Sequence, residues 1–436
     1  MDEHKVGRGL LDPQHRIAQE DQDRARHNRG GTGKEEFAPQ DGIAPHRKRT
    51  QNPEPAPFQA NHGEDEAGRK RRENQTHDPQ IQKSDQVEAV AVLTTKYAFP
   101  RVPHPDWADR ETTEEGIGIY RLKGFPKRSI PLYSCPLVWF SPMQVRGYLK
   151  EFNPNVVHFV GDGWFWGHFW SWFWYRNQAR FVFTPSYHAL PLIRWWLRPI
   201  NAFICNVVDH VIALTRQEAN LVRRAYLVPG KKLGIIGWGA PLPETTLTPD
   251  PQGAGEPLPL LCVGRLGRHK GQEWLLGVYR RARGQFQRSV QLILVGRDEG
   301  DEKKIAGIIR DYGLGDEVAM VGEVSDKELT DWYAKADLFV LFSQYEAFGL
   351  VFFEAMAYGA PVLTHDVGAN RELLTRGAVV VERFDEDEAV GELVRLVNDG
   401  AHRDRLAEDA RDYALSEFTW PAVAEKYLGV YEVAGS

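Results

Sequence analysis

Cysteine is scarce in this chain of 436 residues. Only Cys135, Cys205 and Cys262 occur, far apart and without Cys-x-x-Cys or Cys/His spacing. Neither a disulfide framework nor a structural zinc site is indicated, and a reducing cytoplasm fits best. Long apolar runs are also missing. No segment approaches the roughly 20 residues needed to span a bilayer, and the start has no apolar core of the kind that opens an export signal. Excess positive charge is absent too: the net charge is -6 and the pI is about 6.2, which gives no overall field for nucleic acid. Finally, no Gly-x-Gly-x-x-Gly follows any strand-like segment, which argues against a nicotinamide enzyme.

Residues 1–86 lack almost all aromatics, Phe37 and Phe58 being the exceptions, and mix Arg, Lys, Glu, Gln, His and Pro without period. Such a segment cannot bury a core and reads as a disordered polar tail. Its basic clusters at 46–49 and 69–72 are offset by Glu64, Asp65, Glu66 and Glu73, so no nucleic-acid partner is expected. Gly30-Gly31-Thr32-Gly33-Lys34 resembles a phosphate loop only on the surface. It has Asn28 where the first glycine belongs, no Ser or Thr after Lys34 and no preceding strand.

What is present from Val87 onward is an α/β texture. Short apolar or β-branched runs at 89–94, 117–122, 156–160, 179–183 and 211–214 alternate with longer segments and predict a first domain over 87–245. A Pro, Gly and Thr-rich linker occupies 246–257. Strands expected at 258–263, 290–295, 318–321, 338–341, 361–364 and 378–381 then build a second domain over 258–418, with Ser325 and Glu328 as a capping box. Repeated βα units imply parallel, doubly wound sheets whose ligand lies beyond the carboxyl ends of the strands. Two such domains facing one another leave a cleft between them.

Two motifs of the second domain carry chemistry. In SQYEAFGLVFFEAMAYGAP, Glu346 falls on a loop and Glu354 inside the following helix, which Gly359 and Pro361 close. The helix start offers free N–H groups and a positive dipole end to phosphate, while carboxylates suit sugar or ribose hydroxyls. The other motif, GRLGRHKG at 264–271, lies between a strand and a helix. Arg265 offers a planar fork and Lys270 a point charge for a diphosphate; Arg268 and His269 read as solvent-facing.

With VGRLGRHKG, LILVGRDEG, VAMVGEVSDKEL, the paired-glutamate segment, VGANREL and the terminal FTWPAVAEKYLGVYEVA, the chain resembles glycosyltransferase family 4 over residues 87–436. The family has the GT-B architecture, two facing Rossmann-like domains, and moves a sugar from a nucleotide donor with retention of configuration. The resemblance implies that Arg265 and Lys270 hold the donor diphosphate and Glu346 the transferred sugar. Phe348, Gly349 and Leu350 would contact sugar and phosphate through backbone groups, Glu354 the ribose hydroxyls, and the turn at Gly322–Val324 would line the base. His188, in FVFTPSYHAL, would stand on the acceptor side; His158 is a weaker candidate. Residues 419–436 would cross back to the first domain as a helix. No cofactor and no metal are implied. The partners are a nucleotide-diphosphate sugar and a sugar, polysaccharide or lipid-linked acceptor. The family also opens with a strand and a Gly-rich turn ahead of a strand like AVAVLTT. Here residues 1–86 stand in that place, as a missing strand or a misread start. A donor-binding but inactive protein, or a GT-B sugar phosphorylase or nucleotide-sugar epimerase, are the alternative readings.

One further feature is the seven tryptophans of GWFWGHFWSWFWYR (163–176) and LIRWWLRP (192–199). The first segment reads as a buried core helix. A peripheral membrane contact through 163–199, at the inner face, is the other reading of the aromatics beside Arg176, Arg180, Arg194 and Arg198.

Overall fold

The computed structural model describes residues 87–95, 97–98, 102–103, 107–126, 138–161, 165–186, 191–243 and 256–433, all within one compact unit. The 1–86 tail, His188 and most of the 246–257 linker lie outside the described residues.

The first lobe opens with β1 (Ala91–Thr95) and a short antiparallel pair, β2 (Tyr97–Ala98) with β3 (Val102–Pro103). β4 (Arg110–Thr112) runs antiparallel to β5 (Gly118–Leu122), and β5 pairs in parallel with β1. A second antiparallel pair, β6 (Gly124–Pro126) with β7 (Val138–Phe140), leads to α1 (Pro142–Phe152). Pro142 sits at the first helical position, where its missing N–H is no loss, and Asn153 closes the helix in the left-handed region.

A regular βα series follows: β8 (Val156–Val160), α2 (Phe165–Tyr175), β9 (Arg180–Thr184), α3 (Pro191–Val207), β10 (His210–Ala213), α4 (Arg216–Tyr226) and β11 (Leu233–Ile235). Their strands form a parallel sheet in the order β11-β10-β9-β8. Among the described residues β1 and β8 belong to separate sheets.

The second lobe holds β12 (Leu258–Val263), α5 (Gln272–Ala282), β13 (Val290–Val295), α6 (Glu302–Asp311), β14 (Val318–Gly322), α7 (Asp326–Lys335), β15 (Leu338–Val340) and α8 (Leu350–Ala357). β16 (Val362–His365), α9 (Asn370–Leu373), β17 (Ala378–Val381), α10 (Glu386–Asn398) and α11 (Gly400–Glu417) complete it. All six strands are parallel, in the order β14-β13-β12-β15-β16-β17. β12 is buried along its whole length, as a strand covered by helices on both faces must be. The order reverses between β12 and β15, so the loops leaving these two neighbours diverge in opposite directions and open a crevice.

Local chemistry explains the helices nearest that crevice. The Ser325 hydroxyl accepts from the Glu328 backbone N–H, and the Glu328 carboxylate accepts from the Ser325 backbone N–H at 2.9 Å, forming the expected capping box of α7. α8 is apolar on nearly every face and correspondingly buried, with Phe352, Phe353 and Met356 fully covered. Each of those side chains contributes about 1.5–3 kcal/mol by leaving water.

The last helix, α12 (Trp420–Val433), leaves the second lobe and packs on the first. Its Val423 joins Val182, Ile212 and Ile236 in one apolar cluster, and the Tyr431 hydroxyl lies 2.7 Å from His158 Nδ1. His158 is therefore inside β8 and tied on both ring nitrogens, its Nε2 lying 2.9 Å from the Thr184 hydroxyl. Its role is to hold α12 on the sheet.

The aromatic helix α2 packs on the core of the first lobe, with Tyr175 inside it and Trp166, Phe169, Trp172 and Trp174 partly buried against it. Its covered stripe is Gly167, His168, Ser171 and Tyr175, while Trp166, Phe169, Trp170 and Phe173 lie on its more open side. On the covered side the His168 ring stacks on Phe159 of β8 at 4.4 Å.

Candidate functional site

The two loops at the crevice are bolted together through their backbones. Gly271 has φ +70°, and a Cβ there would fall 1.9 Å from the Phe342 carbonyl oxygen, so only glycine allows this approach. The Gln344 N–H donates to the His269 carbonyl at 2.8 Å. Gln272, almost wholly covered, reaches back to the Arg265 carbonyl at 3.0 Å and fixes the cation-bearing turn. Under the other loop Gly368, at φ +55°, presses on the Glu346 carbonyl, where a Cβ would come within 1.8 Å.

This packing brings Lys270 and Glu346 into contact. The Lys270 ammonium donates to Glu346 Oε2 at 2.9 Å, with the two side chains 14% and 13% exposed. Arg265 is more open and pairs with Glu299, which arrives on the loop after β13. His269 is partly solvent-facing, its side chain 40% exposed. Its Nε2 lies 3.2 Å from an Arg265 nitrogen, and its pKa is lowered by burial first and then by the charges of Arg265 and Lys270. Arg268 is exposed.

Glu354 occupies a different part of the site. It stands on α8, half-buried, and its Oε2 accepts from the Tyr333 hydroxyl at 2.7 Å. Tyr333 comes from α7 and is itself 3% exposed. α8 starts at Leu350, where the sequence places it, and Gly349 takes a left-handed conformation at its cap. No acidic residue lies in its first turn, so the positive end of the helix is not internally neutralised. Phe348 is buried against Phe353 and Phe418, and its ring also fills the space left by the missing side chain of Gly237 in the first lobe.

The lobes meet at one further polar contact. The Glu372 carboxylate accepts from the backbone N–H groups of Arg216 and Gln217, at 2.5 and 3.1 Å, capping the N-terminus of α4 across the crevice. The Tyr345 ring is largely exposed at the crevice.

Of the residues singled out from the sequence, Arg265, Lys270, Glu346, Phe348, Gly349, Leu350 and Glu354 all belong to loops or helix starts at the carboxyl ends of β12 and β15, or to α8. His188 lies outside the described residues. Glu299, Tyr333 and Glu372 were not anticipated. Glu299 and Glu372 lie in LILVGRDEG and VGANREL, but only strand adjacency and lobe contact reveal their partners. Among the described residues no group of three or more His, Cys, Asp or Glu side chains could hold a metal ion.

Comparison with known proteins gives a consistent set of likenesses. A family model described as glycosyltransferase family 4 matches residues 90–242, and one described as glycosyl transferases group 1 matches residues 247–413. Mannosylfructose-phosphate synthase of Agrobacterium fabrum is 30% identical over 239 residues, which are 51% of this chain and 53% of that enzyme. The chain spans about half the length of the curated relatives it matches. Among solved structures, sucrose-phosphate synthase from Thermosynechococcus elongatus superposes with a TM-score of 0.63 at 24% identity, covering 80% of this chain and 90% of that one. Anabaena HepE, solved in complex with UDP and glucose, superposes with a TM-score of 0.54 at 19% identity, covering 66% and 81%. These structural likenesses establish the fold.

Proposed function

The chain belongs to glycosyltransferase family 4 and has the GT-B fold, and from that premise we propose that it transfers a sugar from a nucleotide-diphosphate donor to a glycan, glycolipid or small-molecule acceptor, with retention of configuration and without a metal. The observation that carries this reading is the Lys270–Glu346 contact at the point where the strand order reverses, beside the open N-terminus of α8.

In this reading Arg265 and Lys270 neutralise the donor diphosphate, and backbone groups of Phe348, Gly349 and Leu350 receive phosphate and sugar oxygens. Glu346 accepts from hydroxyls of the transferred sugar, Glu354 from those of the ribose, and His188 orients the acceptor. The acceptor oxygen forms its bond to the anomeric carbon on the face from which the phosphate departs, and the leaving phosphate oxygen takes the acceptor proton. Charge building on that phosphate is stabilised by the two cations and the helix end. A cytoplasmic site of action, peripheral to the inner membrane face when the acceptor is lipid-linked, fits a chain with three widely spaced cysteines.

The test is a thermal-shift panel of nucleoside diphosphates and their sugars, followed by product analysis with and without acceptor and assignment of the anomer by NMR. An α-linked product from an α-linked donor, formed only with acceptor, is expected. Sugar release or donor remodelling without acceptor refutes transfer, and inversion refutes the front-face reaction.

A further inference from the structure

Helix α2 carries large rings on its covered and its open side alike. It covers Gly167, His168, Ser171 and Tyr175, packs Trp166, Phe169, Trp172 and Trp174 only partly against the core and leaves Phe173 exposed, an arrangement that costs free energy unless something covers the outer face. The rings form a continuous patch with neighbouring helices. Phe203 of α3, 43% exposed, lies 6.2 Å from Phe169; Phe169 lies 6.0 Å from Phe173, which is 39% exposed. Phe173 meets Trp170 at 5.6 Å, and Trp170 stacks on Trp174 at 5.9 Å. Over Trp174 sits the guanidinium of Arg146 from α1, and one turn earlier on α1 is Met143, 59% exposed.

The charge on this face has one sign. From 163 to 207 the sequence contains Arg176, Arg180, Arg194 and Arg198 and no Asp or Glu, within a chain of net charge -6. Arg176 is exposed and lies over the rings of Trp172 and Phe173. On α1, Arg146 and Lys150 are exposed, while the acidic Glu151 is engaged by Arg110. No helix among the described residues is long and apolar enough to cross a membrane. Aromatic rings capped by arginine on a helix lying flat are the chemistry of the headgroup boundary, where rings enter the acyl edge and cations meet lipid phosphates.

We propose that the face built by α1, α2 and α3, with Met143, Phe173 and Phe203 as its inserting side chains and Arg146 and Arg176 as its anion contacts, docks the protein on a bilayer carrying anionic lipid. The inference rests on the membrane-peripheral part of the reading above and not on the transfer chemistry, so binding is measured with no donor present.

The experiment is flotation of the full chain with phosphatidylcholine vesicles, with and without phosphatidylglycerol, for the unaltered protein and for Phe173→Ser/Phe203→Ser and Arg146→Gln/Arg176→Gln. These side chains are all partly or largely exposed, and unchanged near-ultraviolet circular dichroism verifies the fold. Binding to the anionic vesicles that drops at least about tenfold in each double variant is expected, with quenching of tryptophan emission by bromine-labelled acyl chains. Binding that persists in both variants would assign it to another basic segment and overturn the proposal. So would absence of binding, or a self-associated species by light scattering that the phenylalanine variants dissolve. Transfer to a soluble acceptor, assayed on the same samples, stays unchanged if docking alone is lost.

Discussion

The contact between Lys270 and Glu346 makes a signed prediction that an ordinary list of donor ligands does not. At 2.9 Å and an effective dielectric constant of about 20, the raw attraction of two unit charges is about 6 kcal/mol. Desolvation offsets most of this, because both side chains are largely covered at 14% and 13% exposure. A net coupling of about 1–2 kcal/mol is a reasonable expectation for a pair between surface and interior. An incoming diphosphate competes for the same ammonium. Replacing Glu346 by glutamine keeps the shape but removes the competing charge, so affinity for a nucleoside diphosphate should hold or rise, by about five- to thirtyfold at most. Turnover should nevertheless fall, because the carboxylate proposed to meet the transferred sugar is gone.

Lys270→Ala should act in the opposite sense, weakening the same ligand at least about tenfold through loss of a charge-assisted contact. Calorimetry with the nucleoside diphosphate chosen by thermal shift measures both, and steady-state kinetics gives kcat. Using the sugar-free ligand matters, since it separates competition at Lys270 from contact with the sugar. A Glu346→Gln variant that binds the nucleoside diphosphate more than tenfold more weakly would refute the reasoning, as would an unaltered Lys270→Ala.

Tyr333→Phe, which keeps the ring stack on Tyr358 but removes the hydroxyl that donates to Glu354, should raise donor KM about three- to tenfold with little change in kcat. Glu354→Ala should cost more, about 1.5–3 kcal/mol in nucleotide affinity, and equal affinity in both variants would remove the ribose assignment. Glu372→Ala frees the N–H groups of Arg216 and Gln217, and small-angle scattering should show a more open average arrangement of the lobes; an identical curve would mean that the contact does not restrain them. His168 is buried, its Nδ1 has no hydrogen-bond partner, and burial, with the His158 charge second, pulls its pKa down from 6.5 to about 3. The folded state then holds fewer protons than the unfolded chain, so this contribution is intact above pH 6.5 and is lost as pH falls toward 3. The slope is about 1.4 kcal/mol per pH unit. Urea unfolding of His168→Gln across that range should show a flatter dependence than the unaltered protein, and parallel curves would contradict the assignment.

The second lobe was readable because its grammar is local. Each strand of that sheet is a short apolar run, and β12 is buried on both faces, so a motif placed just after a run lands at the carboxyl edge where ligands bind. GRLGRHKG and the paired glutamates fall there for that reason. The partners of those residues were not readable, because they depend on adjacency across the sheet. Glu299 reaches Arg265 only because β13 lies beside β12, and Tyr333 reaches Glu354 from α7. The aromatic helix defeated pattern reading for another reason: with large apolar residues on most faces, its period carries no direction. The side it covers carries Gly167, His168, Ser171 and Tyr175, a set that hydrophobicity alone does not single out. His158 was a similar case, since a histidine near a strand end and one locked inside the strand by Tyr431 and Thr184 look alike in sequence.

The crevice is electrically self-satisfied at its cations. Arg265 has Glu299, Lys270 has Glu346, and His269, its pKa lowered by burial and its charged neighbours, sits between the two pairs. In the proposed reading a diphosphate arriving there does not add to a bare positive patch; it exchanges with carboxylates that must release their partners. Weak monovalent anions would not win that exchange, because they cannot engage both cations and the N-terminus of α8 together. A ligand with two linked phosphates can, and Glu346 is then released at the place where the proposed transferred sugar needs an acceptor for its hydroxyls. Selection for a diphosphate and delivery of the carboxylate to the sugar are then consequences of one ion pair changing partners.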